Sequence, residues 1–176
     1  MKKLLCSILM LLCLSPMPCF AAGSFFKVTG DEIRINKFTR QVSFRVLTLS
    51  FQADSATGAI PSLSLDATAW TDGTNTGDYD FGAITGWYGY NVEIDCNHAG
   101  TEPTENSELY IYQNGIDILG GIGVDSVDNT SEREVFFYFA STKETRPIAY
   151  ALTVTVTQQA AATNSATGTI RLYLVP

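Results

Sequence analysis

Apolar and polar side chains alternate with a period of two along most of this 176-residue chain, and no long window repeats its apolar positions every 3.6 residues. A segment of that kind buries one face and wets the other, so it must be covered by a second layer of strands. The pattern therefore predicts an all-β fold: one antiparallel β-sandwich or jelly-roll-like domain of about nine short strands. Threonines set beside Val, Ile and aromatic residues agree with a pleated, half-buried surface.

Residues 25–28 and 33–35 read as the first strands, followed by a long one over 41–53. Within it Val42, Phe44 and Val46 are apolar at even positions and Leu47, Leu49 and Phe51 at odd ones. That switch predicts a bulge or a crossing between sheets near Val46 and Leu47. Leu63, Leu65, Ala67 and Ala69 form the inner side of another strand. Tyr90, Val92, Ile94 and Cys96 are expected to face inward, with Asn91, Glu93 and Asp95 outward. Residues 97–107 read as a polar loop. Asn114-Gly115 between alternating runs 109–113 and 116–119 predicts a type I′ hairpin, with Gly120, Gly121 and Gly123 as turn residues after it. Residues 135–139 are apolar on both faces, which predicts a central strand or one beneath a subunit contact. Leu152, Val154 and Val156, then Ile170, Leu172 and Leu174, mark the last two strands, joined by a small-residue connection over 158–166.

The N-terminus reads as an export signal. Lys2 and Lys3 precede an apolar run from Leu4 to Leu14, and Cys19-Phe20-Ala21 has small outer residues suited to cleavage. Residues 1–21 are thus expected to be a signal peptide and 22–176 the folded domain. The apolar run is too short for a comfortable membrane span, and Pro16 and Pro18 interrupt it. Removing 21 of the 176 residues leaves 155, enough to fold without staples. Cys96 is then the single cysteine, which excludes an intrachain disulfide and favours a buried thiol. The full chain has a net charge of -7, and loss of Lys2 and Lys3 takes it to -9. So acidic a protein is not expected to offer an extended cationic surface to a phosphate backbone, which argues against nucleic acid as a partner.

Reactive constellations are sparse. His98 follows Cys96 by two residues, but zinc needs three or four ligands, and Glu93 and Asp95 point to the opposite face of the strand. One histidine in a loop, with no strand-turn-helix elbow, supports no nucleophilic triad. Asp72, Asn75, Asp78 and Asp80 could supply oxygens to a hard cation, yet they lack the spacing of a calcium loop, and turns collect such residues without any metal. No catalytic residue, metal or cofactor is expected. The aromatic segment containing Tyr79, Phe81, Trp87 and Tyr88, punctuated by Gly82, Gly86 and Gly89, is the candidate binding surface, because rigid rings can stack on a sugar or anchor a protein. Core packing is the competing use for those rings.

Several features of the second half carry a resemblance. They are the strand-turn-strand ending in two glycines (109–121), an Asp/Asn/Thr loop (128–132), the Leu-Thr-Val strand (152–156), and the closing run Thr167-Gly168-Thr169-Ile170-Arg171-Leu172-Tyr173-Leu174. Over roughly 70 residues the chain resembles uncharacterised β-rich proteins of bacteriophages and prophage-like regions. The resemblance implies a virion-associated or accessory structural role and transfers no active site. Three functions follow as expectations. The first is a non-enzymatic exported structural or assembly protein, in contact with itself or other structural proteins. The second is a carbohydrate-binding or cell-surface recognition module, and the third a pilin-like subunit polymerised by strand donation.

Overall fold

The computed structural model describes residues 23–96, 103–104, 107–127, 132–137, 147–157 and 165–176. The expected leader, His98, and most of the expected loops at 97–107 and 158–166 lie outside them. Among the described residues there are eleven strands: β1 (Phe25–Ile35), β2 (Val42–Gln52), β3 (Leu63–Leu65), β4 (Ala69–Thr71), β5 (Thr76–Asp78), β6 (Tyr88–Cys96), β7 (Glu108–Gln113), β8 (Ile116–Asp117), β9 (Arg133–Phe136), β10 (Leu152–Thr157) and β11 (Thr167–Val175). No helix occurs among the described residues, and no helix there is long and apolar enough to cross a membrane.

The strands form two antiparallel sheets, ordered β1-β2-β11-β6-β9 and β5-β4-β3-β10-β7-β8. Their pairing is nested. With β1 and the β4–β5 hairpin set aside, β2 pairs with β11, β3 with β10, β6 with β9 and β7 with β8. This is the pattern of a long hairpin rolled on itself, the defining connectivity of a jelly roll. The inner faces meet in one core: Leu47, Leu49, Phe51, Val92, Ile94, Ile170, Leu172 and Leu174 from the first sheet, and Leu63, Leu65, Leu109, Ile111, Leu152, Val154 and Val156 from the second. Each of these side chains is buried, which stabilises the fold by about 1.5–3 kcal/mol per larger residue. Cys96 is buried on the same side, as its alternation with Ile94 requires.

Most segments lie where the pattern places them, and the differences have local causes. Residues 25–35 form one strand, whose ladder with β2 shifts register between Val28 and Gly30 and again between Arg34 and Ile35. The switch expected at Val46 and Leu47 does not occur, since β2 stays in register with β11 from Gln52 to Arg45. From Arg45 to Phe51 its odd positions face inward, and the inward residue preceding Leu47 is Arg45. A charged side chain on the core side hid the continuity of the face. The strand expected over 63–69 is instead β3 and β4, joined by a tight turn in which the Asp66 N–H bonds the Ala69 carbonyl.

Tyr90 points outward, contrary to the simple alternation. Against β11, Asn91 stands opposite Tyr173 while Gly89 stands opposite Leu174, so Tyr90 is the extra residue of a bulge. Gly89 permits it: a Cβ there would lie 2.7 Å from the Phe137 ring, which packs directly on the glycine backbone. The segment beginning at Val135 is not central among the described strands, because β9 ends the order of its sheet. Val135 faces the core and Phe136 the solvent. The Asn-Gly hairpin forms as expected, with φ of 50° at Asn114 and 76° at Gly115 and Gln113 opposite Ile116. It is short, because the Asp117 carboxylate then captures the N–H groups of Leu119 and Gly121.

The turn after that hairpin folds back on β7, where the Leu109 N–H donates to the Gly123 carbonyl at 2.9 Å. A Cβ at Gly123 would stand 1.8 Å from the Leu109 carbonyl oxygen. Gly123→Ala should therefore cost on the order of 3 kcal/mol in a urea melt. An unchanged midpoint would show that this turn does not close on β7.

Candidate functional site

The four aromatic residues singled out in the sequence do not form one surface. Tyr79 is buried, Trp87 packs partly against the core, Tyr88 is half-buried, and Phe81 is exposed. What organises them is Arg45. Its guanidinium is inaccessible to solvent and makes a two-point contact with Asp31, Nε to Oδ1 at 2.9 Å and Nη2 to Oδ2 at 2.7 Å. Two further N–H groups reach the carbonyls of Ala83 (2.6 Å) and Gly82 (2.7 Å). The rings of Tyr79 and Trp87 each lie 5.5 Å from the guanidinium carbon, within range of a cation–π contact. Three elements are thus joined: β1 through Asp31, β2 through Arg45, and the loop between β5 and β6.

That loop is fixed at its other end as well, through Gly86 N–H to the Ile148 carbonyl (2.8 Å) and Ile148 N–H to the Trp87 carbonyl (2.7 Å). Burial pushes the Tyr79 phenol well above its ordinary value, against the opposing pull of Arg45. Its hydroxyl has no hydrogen-bond partner among the described residues. Tyr79 therefore meets the rest of the protein through its ring.

The acidic loop has a comparable explanation. Asp72 is buried, and its Oδ1 accepts from the N–H groups of Thr74 (2.9 Å) and Asn75 (2.6 Å), while its Oδ2 accepts from Phe26 N–H (2.8 Å) and Asn75 Nδ2 (2.9 Å). The carboxylate holds the β4–β5 turn and ties the second sheet to β1. Asp78 and Asp80 are exposed. Among the described residues no three His, Cys, Asp or Glu side chains are placed to hold a metal ion.

The exposed aromatic surface lies on the outer face of the first sheet. Phe44 on β2, Tyr90 on β6, Phe136 on β9 and Tyr173 on β11 form a chain of edge-to-face and tilted contacts with centroids 5.6–6.4 Å apart. Tyr90 and Phe136 are 46% and 47% exposed. Phe44, Tyr90 and Tyr173, with Arg34, Asn91, Glu93, Glu132, Arg133 and Glu134, line an open depression of about 520 Å³, and Phe136 packs on Tyr90 beside it. Its polar groups are pre-positioned: Glu93 accepts from the Tyr173 hydroxyl and from Arg171, both at 2.6 Å, and Asn91 Nδ2 donates to Glu134. The hydrogen bond to Glu93 raises the Tyr173 phenol above its usual value. Sequence distance concealed this cluster, since each ring comes from a different strand.

A second exposed element adjoins the depression. The β1–β2 ladder continues to Ile35 opposite Val42, whereas the ladder between β2 and β11 ends at Arg45. The hairpin tip thus projects past its neighbour. Its turn is well tied: Asn36 Oδ1 accepts from the Phe38 and Thr39 N–H groups, Arg40 N–H bonds the Asn36 carbonyl, and Arg40 takes a φ of 57°. On this ordered turn Phe38 is 97% exposed, flanked by exposed Ile35 and Val42. No family model matches the chain, and comparison with characterised proteins and with solved structures finds no match.

Two predictions test the internal assignments. Arg45→Met leaves Asp31 buried without its cation, so stability should fall by about 3–5 kcal/mol, while the pair Arg45→Met with Asp31→Leu should recover much of the loss. Denaturant melts of the single and double variants measure this; equal losses would separate the two residues. For Asp72, burial opposes ionisation but the donors from Asn75, Phe26 and Thr74 outweigh it, so its carboxyl sits below the ordinary 3.8. A carboxyl with a depressed folded value stabilises fully above its unfolded value, near pH 4, and loses that contribution as pH falls through the folded value. Asp72→Asn should cost about 1–3 kcal/mol at pH 7 and progressively less below pH 4 in melts taken across that range. A loss independent of pH would contradict this role.

Proposed function

We propose that this chain is a non-enzymatic structural or assembly protein, exported by its N-terminal leader, that acts by protein–protein contact on a particle or surface. The observation that carries the reading is the hairpin tip. A phenylalanine presented almost completely to water on a hydrogen-bonded turn stabilises nothing within its own chain, and rigid aromatic residues of this kind anchor protein interfaces. The resemblance to β-rich phage and prophage proteins points the same way. Strand donation is a weaker mechanism for such assembly, because β2, β11, β6, β3 and β10 are each paired on both sides and leave no slot among them for a donated strand.

The half-exposed rings of Tyr90 and Phe136 favour a second reading, a module that stacks on saccharides. The two separate by experiment. Sedimentation velocity of the purified protein from about 1 to about 100 µM should show reversible association, because functional contacts of modest size fall in that range. A monomer throughout, together with specific binding on a glycan array, would replace the assembly reading by the saccharide one.

A further inference from the structure

The hairpin tip and the outer-face depression have complementary chemistry. Arg34, Lys37 and Arg40 are three of the chain's 11 cationic residues, and they stand in residues 34–40 with no acid between them. The rest of the chain is therefore more acidic than the net charge of -7 implies. The depression combines half-exposed aromatic rings with Glu132 and Glu134, and with Glu93 already paired to Arg171, against the guanidinium groups of Arg34 and Arg133. Glu132 and Glu134 are exposed at the β9 side of that face. Aromatic rings edged by carboxylates suit a guest that presents an aromatic ring together with cations. Residues Lys37, Phe38 and Arg40 are such a guest.

Their positions on the molecule decide how the two could meet. Arg34 and Phe44 lie opposite each other at the base of the hairpin and also line the depression, so guest and host adjoin at one end of the same sheet. Adjacent complementary patches on one subunit can be satisfied together across a two-fold axis, where each copy gives its hairpin and receives the other's. Direct edge-to-edge pairing of β9 is disfavoured by the exposed, charged Arg133 and Glu134 on that strand.

We infer that the partner of the outer aromatic face is a second copy of this chain, whose β1–β2 hairpin seats Phe38 among Phe44, Tyr90 and Phe136 with Lys37 and Arg40 against Glu132 and Glu134. This rests on the assembly reading and names its partner. One copy satisfies two exposed features at once, whereas a saccharide would occupy the depression and leave Phe38 in water.

The test uses two charge-reversed proteins, Lys37→Glu/Arg40→Glu and Glu132→Lys/Glu134→Lys, each checked by thermal melting for an intact fold. Each alone opposes like charges in both contacts, and its self-association should weaken by about 10-fold or more in sedimentation velocity. Mixing the two pairs every reversed hairpin with a reversed face and every native hairpin with a native face, so a mixed dimer should form with near-native affinity. A folding defect gives no such rescue. Phe38→Ser, at a position that contributes no packing to its own fold, should weaken association by about 30-fold or more. Self-association that both reversed proteins retain overturns the inference and leaves the assembly reading standing. A wild-type protein that stays monomeric overturns both, and glycan-array binding lost in Tyr90→Ala would then give the face to saccharides.

Discussion

The arrangement of this protein depends on one buried charge. Arg45 projects from the core side of β2 at a position where the neighbouring strand residues are apolar, and it is entirely removed from water. A guanidinium in that setting is tolerable only if its donors are matched, because the desolvation cost of an unmatched buried ion is several kcal/mol. Asp31 and the carbonyls of Gly82 and Ala83 supply the match, with Tyr79 and Trp87 stacked beside it. The constraint reaches across the chain: β1 must run beside β2 in the register that brings Asp31 near, and the loop between β5 and β6 must cover that end of the sandwich. The geometry of the glycine-rich aromatic segment follows from it.

Tyr79 and, in part, Trp87 are thereby packed within the protein, and the larger exposed cluster of rings comes from elsewhere. Jelly-roll nesting places β2, β11, β6 and β9 side by side, so outward residues distant in sequence become neighbours. Phe44, Tyr90, Phe136 and Tyr173 meet in this way, and the bulge at Tyr90 is what turns its ring outward to join them. Around them the ion pair of Arg171 with Glu93 is about one-third exposed, so it contributes at most about 1 kcal/mol to stability while fixing the orientation of Glu93. An ordered, half-apolar and half-charged face of this kind is suited to contact.

The layer architecture was legible in the sequence because period-two alternation is a direct consequence of burying one face of a strand. Leu109, Ile111, Leu152, Val154, Val156, Ile170, Leu172 and Leu174 all lie inward as that pattern requires. The Asn114-Gly115 turn was legible because few residues other than these accept positive φ at both positions. Three features were not legible, each for a physical reason. Arg45 interrupted an apolar face and imitated a change of register, since no local signal marks a charge whose partner lies on another strand. Tyr90 obeys a bulge set by Gly89 and Phe137, a contact across 48 positions of chain. The aromatic face is assembled by topology, and the density of rings near Trp87 drew attention to a segment whose Tyr79 and Trp87 pack against Arg45.

The central claim is that residues 79–87 are an internal clamp and that contact is made by the hairpin and the outer face of the first sheet. Hydrogen exchange of the protein, compared between dilute and concentrated solution, tests it most directly. Concentration should slow exchange at backbone amides in residues 36–42, 89–93 and 132–136, and leave those of 79–87 unchanged. New protection confined to 79–87, with the hairpin unaffected, would contradict the account.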